Sequence, residues 1–369
     1  MANVFESGAN LYDTPYIVDK VIGSGADGDV YIVHLKDEPN VKYAAKVFKK
    51  PEKVDDDYWR KRGDEALTSF RISAKPNPNL AKTYNVVVTD NDDIILIMDY
   101  IDGVTLRSYL NRHGALTPKV ALNIFKKMLN GIKQLHRFKQ QIIHRDLKPE
   151  NIMVSHDLSK VVIVDFGISS VVKVDIKEVM TNEPNLYGTA SYILPDLLEV
   201  YGKKGQKQIS VQSDFYSLGV ILYEMIMGAL PFEQVKDDNG ELDKRATIKL
   251  PLRYDLANIS ANPSIPPSLE NIIFKCMACK PADIKHRYED IDEIINDVNN
   301  CLPLLDKRVD PTPLLKPVSQ RFLQSNPYID ISNIKQNQKW YKQWWFFLII
   351  FGCAVALIVA AIVYFFVII

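Results

Sequence analysis

The chain has 369 residues, of which 47% are hydrophobic, so it is long enough to bury a substantial core in two lobes or two domains. Its 45 basic and 45 acidic residues give a formal net charge of zero, which gives no support to nucleic-acid binding, because such binding depends on a net basic surface. Residues 1–13 read as a short polar leader. The lack of a basic segment followed by an apolar run predicts no signal peptide.

The first part of the chain predicts a small antiparallel sheet with one helix. Alternating segments rich in β-branched and aromatic residues predict strands at 16–22, 30–35, 43–48 and 94–100. Between the third and fourth strands, residues 55–73 are first charged and then amphipathic, which predicts a helix.

A glycine-rich turn joins the first two predicted strands. It reads Gly23-Ser24-Gly25-Ala26-Asp27-Gly28, and Val30 follows it. Glycines let backbone amides approach phosphates without a Cβ in the way. Dinucleotide-binding folds use the same spacing between a strand and a helix, so a position between two strands disfavours that interpretation. Lys46, in the third predicted strand, is expected to hold the α- and β-phosphates of a nucleotide.

The most informative motif lies near the middle of the chain. It reads His144-Arg145-Asp146-Leu147-Lys148-Pro149-Glu150-Asn151, and Asp165-Phe166-Gly167 follows. A carboxylate at Asp146 can accept the proton of an attacking hydroxyl, and Lys148 can reach a transferred phosphoryl group. Asn151 and Asp165 supply the hard oxygen ligands that Mg²⁺ prefers. These residue types therefore suit phosphoryl transfer assisted by Mg²⁺.

These motifs together resemble those of protein kinases. A lysine two residues after the aspartate, here Lys148 after Asp146, resembles the motif of the serine/threonine kinases. The run Gly103-Val104-Thr105-Leu106 is similar to one common in the Hanks-type, eukaryotic-like kinases of bacteria. The resemblance implies a bilobal α+β protein kinase fold, with a sheet-containing N-terminal lobe at 14–101 and a helical C-terminal lobe at 102–302.

The sequence pattern beyond residue 102 agrees with a helical lobe. Thr117 and Pro118 are typical of an N-cap and a first helical position, and they open a helix predicted to run to about residue 139. Segments 211–228 and 288–300 show the same helical period.

A buried lysine needs a counter-charge, and the kinase resemblance places one on the helix that follows. Glu65 is the predicted partner of Lys46. Glu52, Asp64 or one of the residues 55–57 could take its place.

The resemblance also implies how a nucleotide lies between the lobes. Met98 takes the gatekeeper position, and the backbones of Asp99 and Ile101 meet the adenine edge. Asp102 either contacts the ribose or belongs to a turn-forming Asp-Gly pair. The complete set of implied ATP-binding residues is Ile22, Gly23, Ser24, Gly25, Ala26, Asp27, Gly28, Val30, Ala44, Lys46, Met98, Asp99 and Ile101.

Residues 165–196 correspond to the activation segment of the family. Arg145 directly precedes the catalytic aspartate, an arrangement typical of kinases whose activation segment is ordered by a phosphate. Thr189 matches the threonine that bridges the catalytic aspartate and lysine, so its predicted role is structural. Thr181 is the predicted autophosphorylation site.

Two further positions match the family outside the catalytic motif. Asp214 matches the aspartate that braces the catalytic loop. Arg287 matches an arginine that pairs with the acidic end of the activation segment. That end departs from the family pattern, since Leu194 replaces alanine and Asp196 replaces glutamate, but the shorter carboxylate keeps the charge that the pair needs.

Cys276 and Cys279 form a C-x-x-C pair in a helix-like apolar run. No second pair of cysteines or histidines completes a zinc site, so we predict buried helix thiols, with no disulfide and no metal-thiolate centre.

The composition changes after the predicted kinase domain. Residues 303–343 contain several prolines and predict a linker of low order. Residues 345–369 carry no charge and are long enough, at about 1.5 Å per residue, to cross a bilayer core of roughly 30 Å as a transmembrane helix. Aromatic residues and lysines precede this segment, which predicts a single-pass protein of the cell membrane with a cytoplasmic kinase domain. This organisation resembles short, sensor-less kinases of mycoplasmas.

The predicted function is ATP-dependent phosphorylation of protein serine and threonine residues, with autophosphorylation, in bacterial signalling. The expected partners are ATP, protein substrates and the lipid bilayer, with a homodimer expected by analogy and no nucleic acid. A membrane-anchored pseudokinase scaffold is the alternative, disfavoured because Lys46, Asp146 and Asp165 are all present. A small-molecule kinase lacks the full catalytic motif, and a receptor function would need a partner protein.

Overall fold

A computed structural model of the protein describes two lobes with different secondary structure. The first consists of a five-stranded sheet and one helix, and the second consists of helices with a small three-stranded sheet, as the predicted α+β bilobal fold requires. Within the described residues, no helix combines the length and the apolar character needed to cross a membrane. The predicted transmembrane segment 345–369 lies outside the described residues, which are 5–25, 28–165, 190–196, 210–253, 265–307 and 310–315.

The N-terminal lobe is built on antiparallel strands in the order β1-β2-β3-β5-β4. The fourth predicted strand is β5, and sequence reasoning missed β4. In β4 three valines are consecutive and much of the strand is exposed, so it lacks the alternation that marks a strand. The strands are β1 (Tyr16–Gly25), β2 (Gly28–Leu35), β3 (Glu38–Phe48), β4 (Thr83–Val88) and β5 (Ile94–Asp99).

Helix α1 (Asp56–Ile72) covers one face of this sheet, which we term the inner face. The Asp55 carboxylate caps the helix by accepting a hydrogen bond of 3.0 Å from the backbone N–H of Tyr58. Trp59 and Ala66 of α1 are buried against strands β3 and β5. The helix forms where the charged and then amphipathic pattern predicts it.

The opposite, outer face of the sheet is covered in part by the segment before β1. Leu11 is fully buried there, and Phe5 makes edge contacts with Tyr12 and Tyr31. The Tyr12 hydroxyl donates a hydrogen bond of 2.7 Å to Asp93. The prediction of a polar leader is therefore wrong for residues 5–13, because their apolar side chains complete the core of this lobe.

The C-terminal lobe is organised around α4, in which every residue from Ser213 to Ile226 is buried. Helices α3 and α6 pack against α4, and α7 packs against both of them. The three described cysteines are free and buried in this lobe, and burial raises the pKa of Cys279 to about 12. The helices are α2 (Leu106–His113), α3 (Pro118–His136), α4 (Gln212–Met227), α5 (Lys244–Arg253), α6 (Pro267–Met277) and α7 (Ile291–Lys307).

The end of the lobe differs from the predicted boundary at residue 302. Helix α7 continues through Pro303 to Lys307, although proline removes one helical hydrogen bond, because Cys301 and Leu305 extend its buried face. Residues 310–315 then return to α6. The Asn271 side chain donates to the Pro313 carbonyl at 2.8 Å and accepts from the backbone N–H of Leu315 at 3.0 Å. The beginning of the predicted low-order linker is therefore part of the folded lobe.

Candidate active site

A short sheet brings the two halves of the catalytic motif together. Strands β6 (Val104–Thr105), β7 (Ile152–Val154) and β8 (Val161–Ile163) are antiparallel neighbours in that order. Ile152 pairs in register with Ile163, and the Val164 N–H donates to the Asn151 carbonyl at 2.9 Å. Asn151 precedes β7 and Asp165 follows β8, so both residues lie at the same end of this hairpin.

The Asp146 carboxylate is held by two neighbours in its own loop. Lys148 Nζ lies 2.8 Å from Asp146 Oδ2. Asn151 Nδ2 donates to the same oxygen at 3.0 Å and to the Asp146 carbonyl at 2.8 Å. Because both bonds use the amide nitrogen, the Asn151 amide oxygen is turned away from this carboxylate. The structure thus brings together three of the predicted catalytic residues.

The catalytic loop is braced from below by Asp214 of α4, as predicted. The fully buried Asp214 carboxylate accepts hydrogen bonds of 2.9 Å from the backbone N–H groups of His144 and Arg145. His136 Nε2 lies 2.7 Å from the same carboxylate. Burial alone would raise the pKa of Asp214, but His136, His144 and the Arg145 N–H outweigh it and lower the pKa. Arg145 has φ +67°, a strained backbone that these bonds stabilise.

An ion pair joins the two lobes across the site. Lys46 Nζ of β3 lies 2.9 Å from Asp165 Oδ2. Burial acts to raise the pKa of Asp165, whereas Lys46, His144 and Lys148 lower it, and their combined effect is the larger. Asp165 is therefore a carboxylate at neutral pH. Its φ of +58° is a second strained backbone conformation in the site.

Glu65 is fully buried on α1. Its pairing with Lys46 stays a prediction, since the ion pair that the structure gives Lys46 is with Asp165. Of the predicted substitutes, Asp55 caps α1 and Asp57 lies 3.0 Å from Lys61.

The glycine-rich turn closes the β1–β2 hairpin, where Gly25 pairs with Gly28. Gly28 has φ +111°, and a Cβ at this position would lie 2.1 Å from the Val47 carbonyl oxygen. Only glycine fits there. Gly23 pairs with Val30, and Ile22 is half exposed. Ala26 and Asp27 lie outside the described residues.

The predicted adenine-binding segment lies at the end of β5. Met98 pairs in register with Ala44, and both are buried, as is Ile101. The Asp99 carboxylate accepts hydrogen bonds from the N–H of Lys82, the residue before β4, at 3.0 Å and from the Tyr84 hydroxyl of β4 at 2.9 Å. These two bonds fix where the chain leaves the N-terminal lobe.

Of the activation segment, the described residues are Asp165 and 190–196, so Thr181 and Thr189 lie outside them. At the end of the segment, Arg287 Nη1 lies 2.9 Å from Asp196 Oδ2, and Arg287 Nε donates to the Ala278 carbonyl at 2.6 Å. The shorter aspartate side chain still reaches its predicted partner.

Sequence reasoning missed a charge network beside the catalytic loop. Arg107 of α2 donates to Glu150 at 2.8 Å and to the Tyr192 hydroxyl at 2.6 Å, and it also pairs with Glu224 of α4. The Tyr192 hydroxyl donates to Glu224 at 2.5 Å. Burial and then the Glu224 charge raise the pKa of Tyr192 above its ordinary value. The sequence did contain one signal for this network: Glu224 lies inside the apolar run of α4, and a buried charge requires a partner.

Comparison with known proteins defines the class. The family model of the protein kinase domain matches residues 16–290, so the chain belongs to the protein kinase family. A crystal structure of the Mycobacterium tuberculosis PknI kinase domain, 21% identical, covers 80% of this chain and 99% of that chain with a TM-score of 0.55, which shows the shared fold.

Curated relatives place the chain among the bacterial serine/threonine kinases. A putative serine/threonine-protein kinase of Mycoplasma genitalium is 38% identical over 319 residues, which cover 81% of this chain and 79% of that protein. Another from Mycoplasma pneumoniae is 36% identical, covering 80% of this chain and 78% of that protein. Serine/threonine-protein kinase PrkC of Bacillus subtilis is 30% identical over 78% of this chain, but over only 40% of its own length.

Proposed function

We propose that this chain transfers the γ-phosphoryl group of ATP to serine and threonine hydroxyls of proteins, including its own. One observation carries the proposal: Lys148 and Asn151 both contact the Asp146 carboxylate, and a Lys46–Asp165 ion pair joins the lobes. Phosphoryl transfer depends on positioning and on charge stabilisation, and this arrangement supplies both.

Each residue has a distinct role in the proposed reaction. Asp146 accepts the proton of the substrate hydroxyl, and Lys148 stabilises charge on the transferred phosphoryl group. Lys46 binds the α- and β-phosphates, which Gly23, Gly25 and Gly28 of the glycine-rich turn cover.

The donor set at one end of the β7–β8 hairpin fits a magnesium ion. Asn151 offers an amide oxygen and Asp165 a carboxylate whose pKa is lowered, both of them hard oxygen ligands. These two residues would hold Mg²⁺, which neutralises phosphate charge when it is bound.

The test is phosphate transfer by the purified full-length chain with Mg-ATP, followed by mass-spectrometric mapping. We expect phosphoserine or phosphothreonine in the wild type, and a loss of roughly 10²- to 10⁴-fold in rate for Asp146→Asn, because the base is removed. Asp157→Asn, in the exposed β7–β8 turn, is the matched control. Undiminished transfer by Asp146→Asn would contradict the role of Asp146. Nucleotide binding without transfer by the wild type would favour the pseudokinase scaffold.

The same mapping tests the activation segment. We propose Thr181 as the site of autophosphorylation and Thr189 as a structural residue of the site. Phosphate on Thr181, with lower activity in Thr181→Ala, is the expected result.

Size-exclusion chromatography with light scattering, before and after incubation with ATP, tests the proposed homodimer.

We propose further that residues 345–369 anchor the protein in the cell membrane with the kinase domain in the cytoplasm. The uncharged sequence of this segment and the aromatic residues and lysines before it support the proposal. The full-length chain should resist carbonate extraction from membranes, whereas a chain ending at residue 344 should be released. Release of both forms would contradict the anchor, and labelling of the kinase domain from outside intact cells would contradict its orientation.

A further inference from the structure

A buried carboxylate lies at the base of the glycine-rich turn and has no part in the chemistry described above. Asp29 directly follows Gly28 and is 4% exposed. It accepts a hydrogen bond of 2.5 Å from Ser24 Oγ, and Lys49 Nζ lies 2.9 Å from its other oxygen. The Tyr31 hydroxyl approaches that second oxygen at 3.5 Å. The carboxylate therefore connects β1, its own strand β2 and the residue that directly follows β3.

Asp29 lies on the apolar outer face of the sheet. Its face of the sheet is formed by residues such as Val18, Val33 and Val47. Burying a charge among such residues costs free energy unless partners compensate it. Burial acts to raise the pKa of Asp29, but Ser24, Lys49 and Tyr31 together lower it, so the group stays ionised. An apolar side chain would serve the core at least as well, which points to a role beyond packing.

The position of Asp29 leaves the nucleotide side of the sheet free. Successive side chains of a strand face opposite sides. Val30 pairs in register with Lys46 on the inner face, and Asp29 pairs with Val47 on the outer face. The contacts of Asp29 therefore do not compete with a phosphate bound near Lys46.

Ser24 and Asp29 are also register partners, one pair away from the Gly25–Gly28 pair that closes the described hairpin. A Cβ at Gly25 would have no atom within 4 Å, so packing does not restrain that side of the turn. Glycines have many backbone conformations to lose on ordering. The Ser24–Asp29 bond crosses the two strands at the point where the turn begins, and it restricts those conformations.

We propose that Asp29 is a positioning residue that, through Ser24, holds together the two strand ends that carry the glycine-rich turn, so that Ser24, Gly25 and Gly28 are placed to receive the phosphates of ATP. Lys49 and Tyr31 fix the carboxylate, and the carboxylate fixes Ser24. The inference rests on the proposed kinase function, since it assigns the phosphates to this turn.

The test compares nucleotides with and without phosphates on the purified full-length chain. Ser24→Ala and Asp29→Ala should each weaken Mg-ADP binding in calorimetry by roughly 3- to 10-fold, the effect of one partly buried hydrogen bond to a charged group. Adenosine affinity should stay unchanged, because adenosine has no phosphate to contact the turn. In steady-state assays the KM for ATP should rise by the same factor, with little change in kcat or in the KM for a protein substrate.

Two further variants separate positioning from general stability. Asp29→Asn keeps an oxygen that can accept the Ser24 hydrogen bond, so it should restore most of the Mg-ADP affinity that Asp29→Ala loses. Asp19→Ala removes the 2.8 Å contact between Asp19 and His34, which crosses the same two strands far from the turn. This control should leave both affinities at the wild-type value.

Equal losses of Mg-ADP and adenosine affinity in Ser24→Ala and Asp29→Ala would overturn the proposal, and so would unchanged Mg-ADP affinity. A wild-type chain that binds Mg-ADP but transfers no phosphate would instead overturn the proposed function. Because the calorimetric comparison needs no turnover, the two failures are distinguishable.

Discussion

The two loops assigned to ATP chemistry are held in different ways. The catalytic loop is fixed through its backbone, because the buried Asp214 carboxylate accepts two of its N–H groups and contacts His136. At the base of the glycine-rich turn, strand pairing is supplemented by a side-chain bond between Ser24 and Asp29. The difference agrees with the proposed reaction, since groups that align a proton transfer must be rigid, whereas a cover over the nucleotide must open for exchange.

The largest effect should come from removing the brace of the catalytic loop. Asp214→Ala leaves the buried His144 N–H, the partly buried Arg145 N–H and His136 without their acceptor, so we expect a loss of about 3–5 kcal/mol in the free energy of unfolding. Urea denaturation of the full-length chain measures it. Asp306→Ala, which breaks the exposed Lys119–Asp306 pair, is the control and should cost about 0–1 kcal/mol. Similar losses of unfolding free energy in both variants would show that Asp214 stabilises the fold no more than an exposed ion pair does.

A second effect concerns the charge network that links the catalytic loop to α4. Arg107→Ala removes the cation that faces Glu150 and Glu224, and we expect a loss of about 2–3 kcal/mol, less than for a fully buried pair because Arg107 is partly exposed. Transfer activity should fall as well, since Glu150 adjoins Asn151. Lys119→Ala is the matched control. Wild-type stability in Arg107→Ala would mean that the network contributes little.

The glycine-rich turn offers a comparison within one hairpin. Gly28→Ala should cost about 1–3 kcal/mol of unfolding free energy, because φ is +111° and the added Cβ meets the Val47 carbonyl. Gly25→Ala adds a Cβ into open space and should leave stability near the wild-type value. Chemical denaturation of the two variants side by side gives the measurement. Equal stabilities would argue against a strained position at Gly28.

The smallest effect is a pH dependence of the catalytic loop. Burial lowers the pKa of His144, so His144 stays neutral in the folded chain while the unfolded chain binds a proton below about pH 6.5. The contribution of neutral His144 to the free energy of unfolding is therefore complete above about pH 6.5 and decreases as the pH falls below it. Wild type should therefore lose stability relative to His144→Phe between about pH 6.5 and pH 5. His156→Gln, at an exposed position, should parallel the wild type; a parallel curve for His144→Phe would contradict the prediction.

Much of the site was predictable because its residues adjoin one another in sequence. Asp146, Lys148 and Asn151 lie within one short motif, and in the structure Lys148 and Asn151 both contact the Asp146 carboxylate. The long strands and helices were predictable too, since their apolar periods are extended. Strand β4 and the two- and three-residue strands β6–β8 were missed, because segments so short or so irregular carry no readable period.

Sequence by itself determined the family, the catalytic motif and the general division into a sheet lobe and a helical lobe. Tertiary structure decided which distant charges meet, namely Lys46 with Asp165 and Arg107 with Glu150 and Glu224. It also decided that residues 310–315 pack on α6. The physical reason is that a motif encodes chemistry that is local in the chain. The partner of a buried charge is chosen by packing between segments far apart in sequence, and no local pattern records that choice.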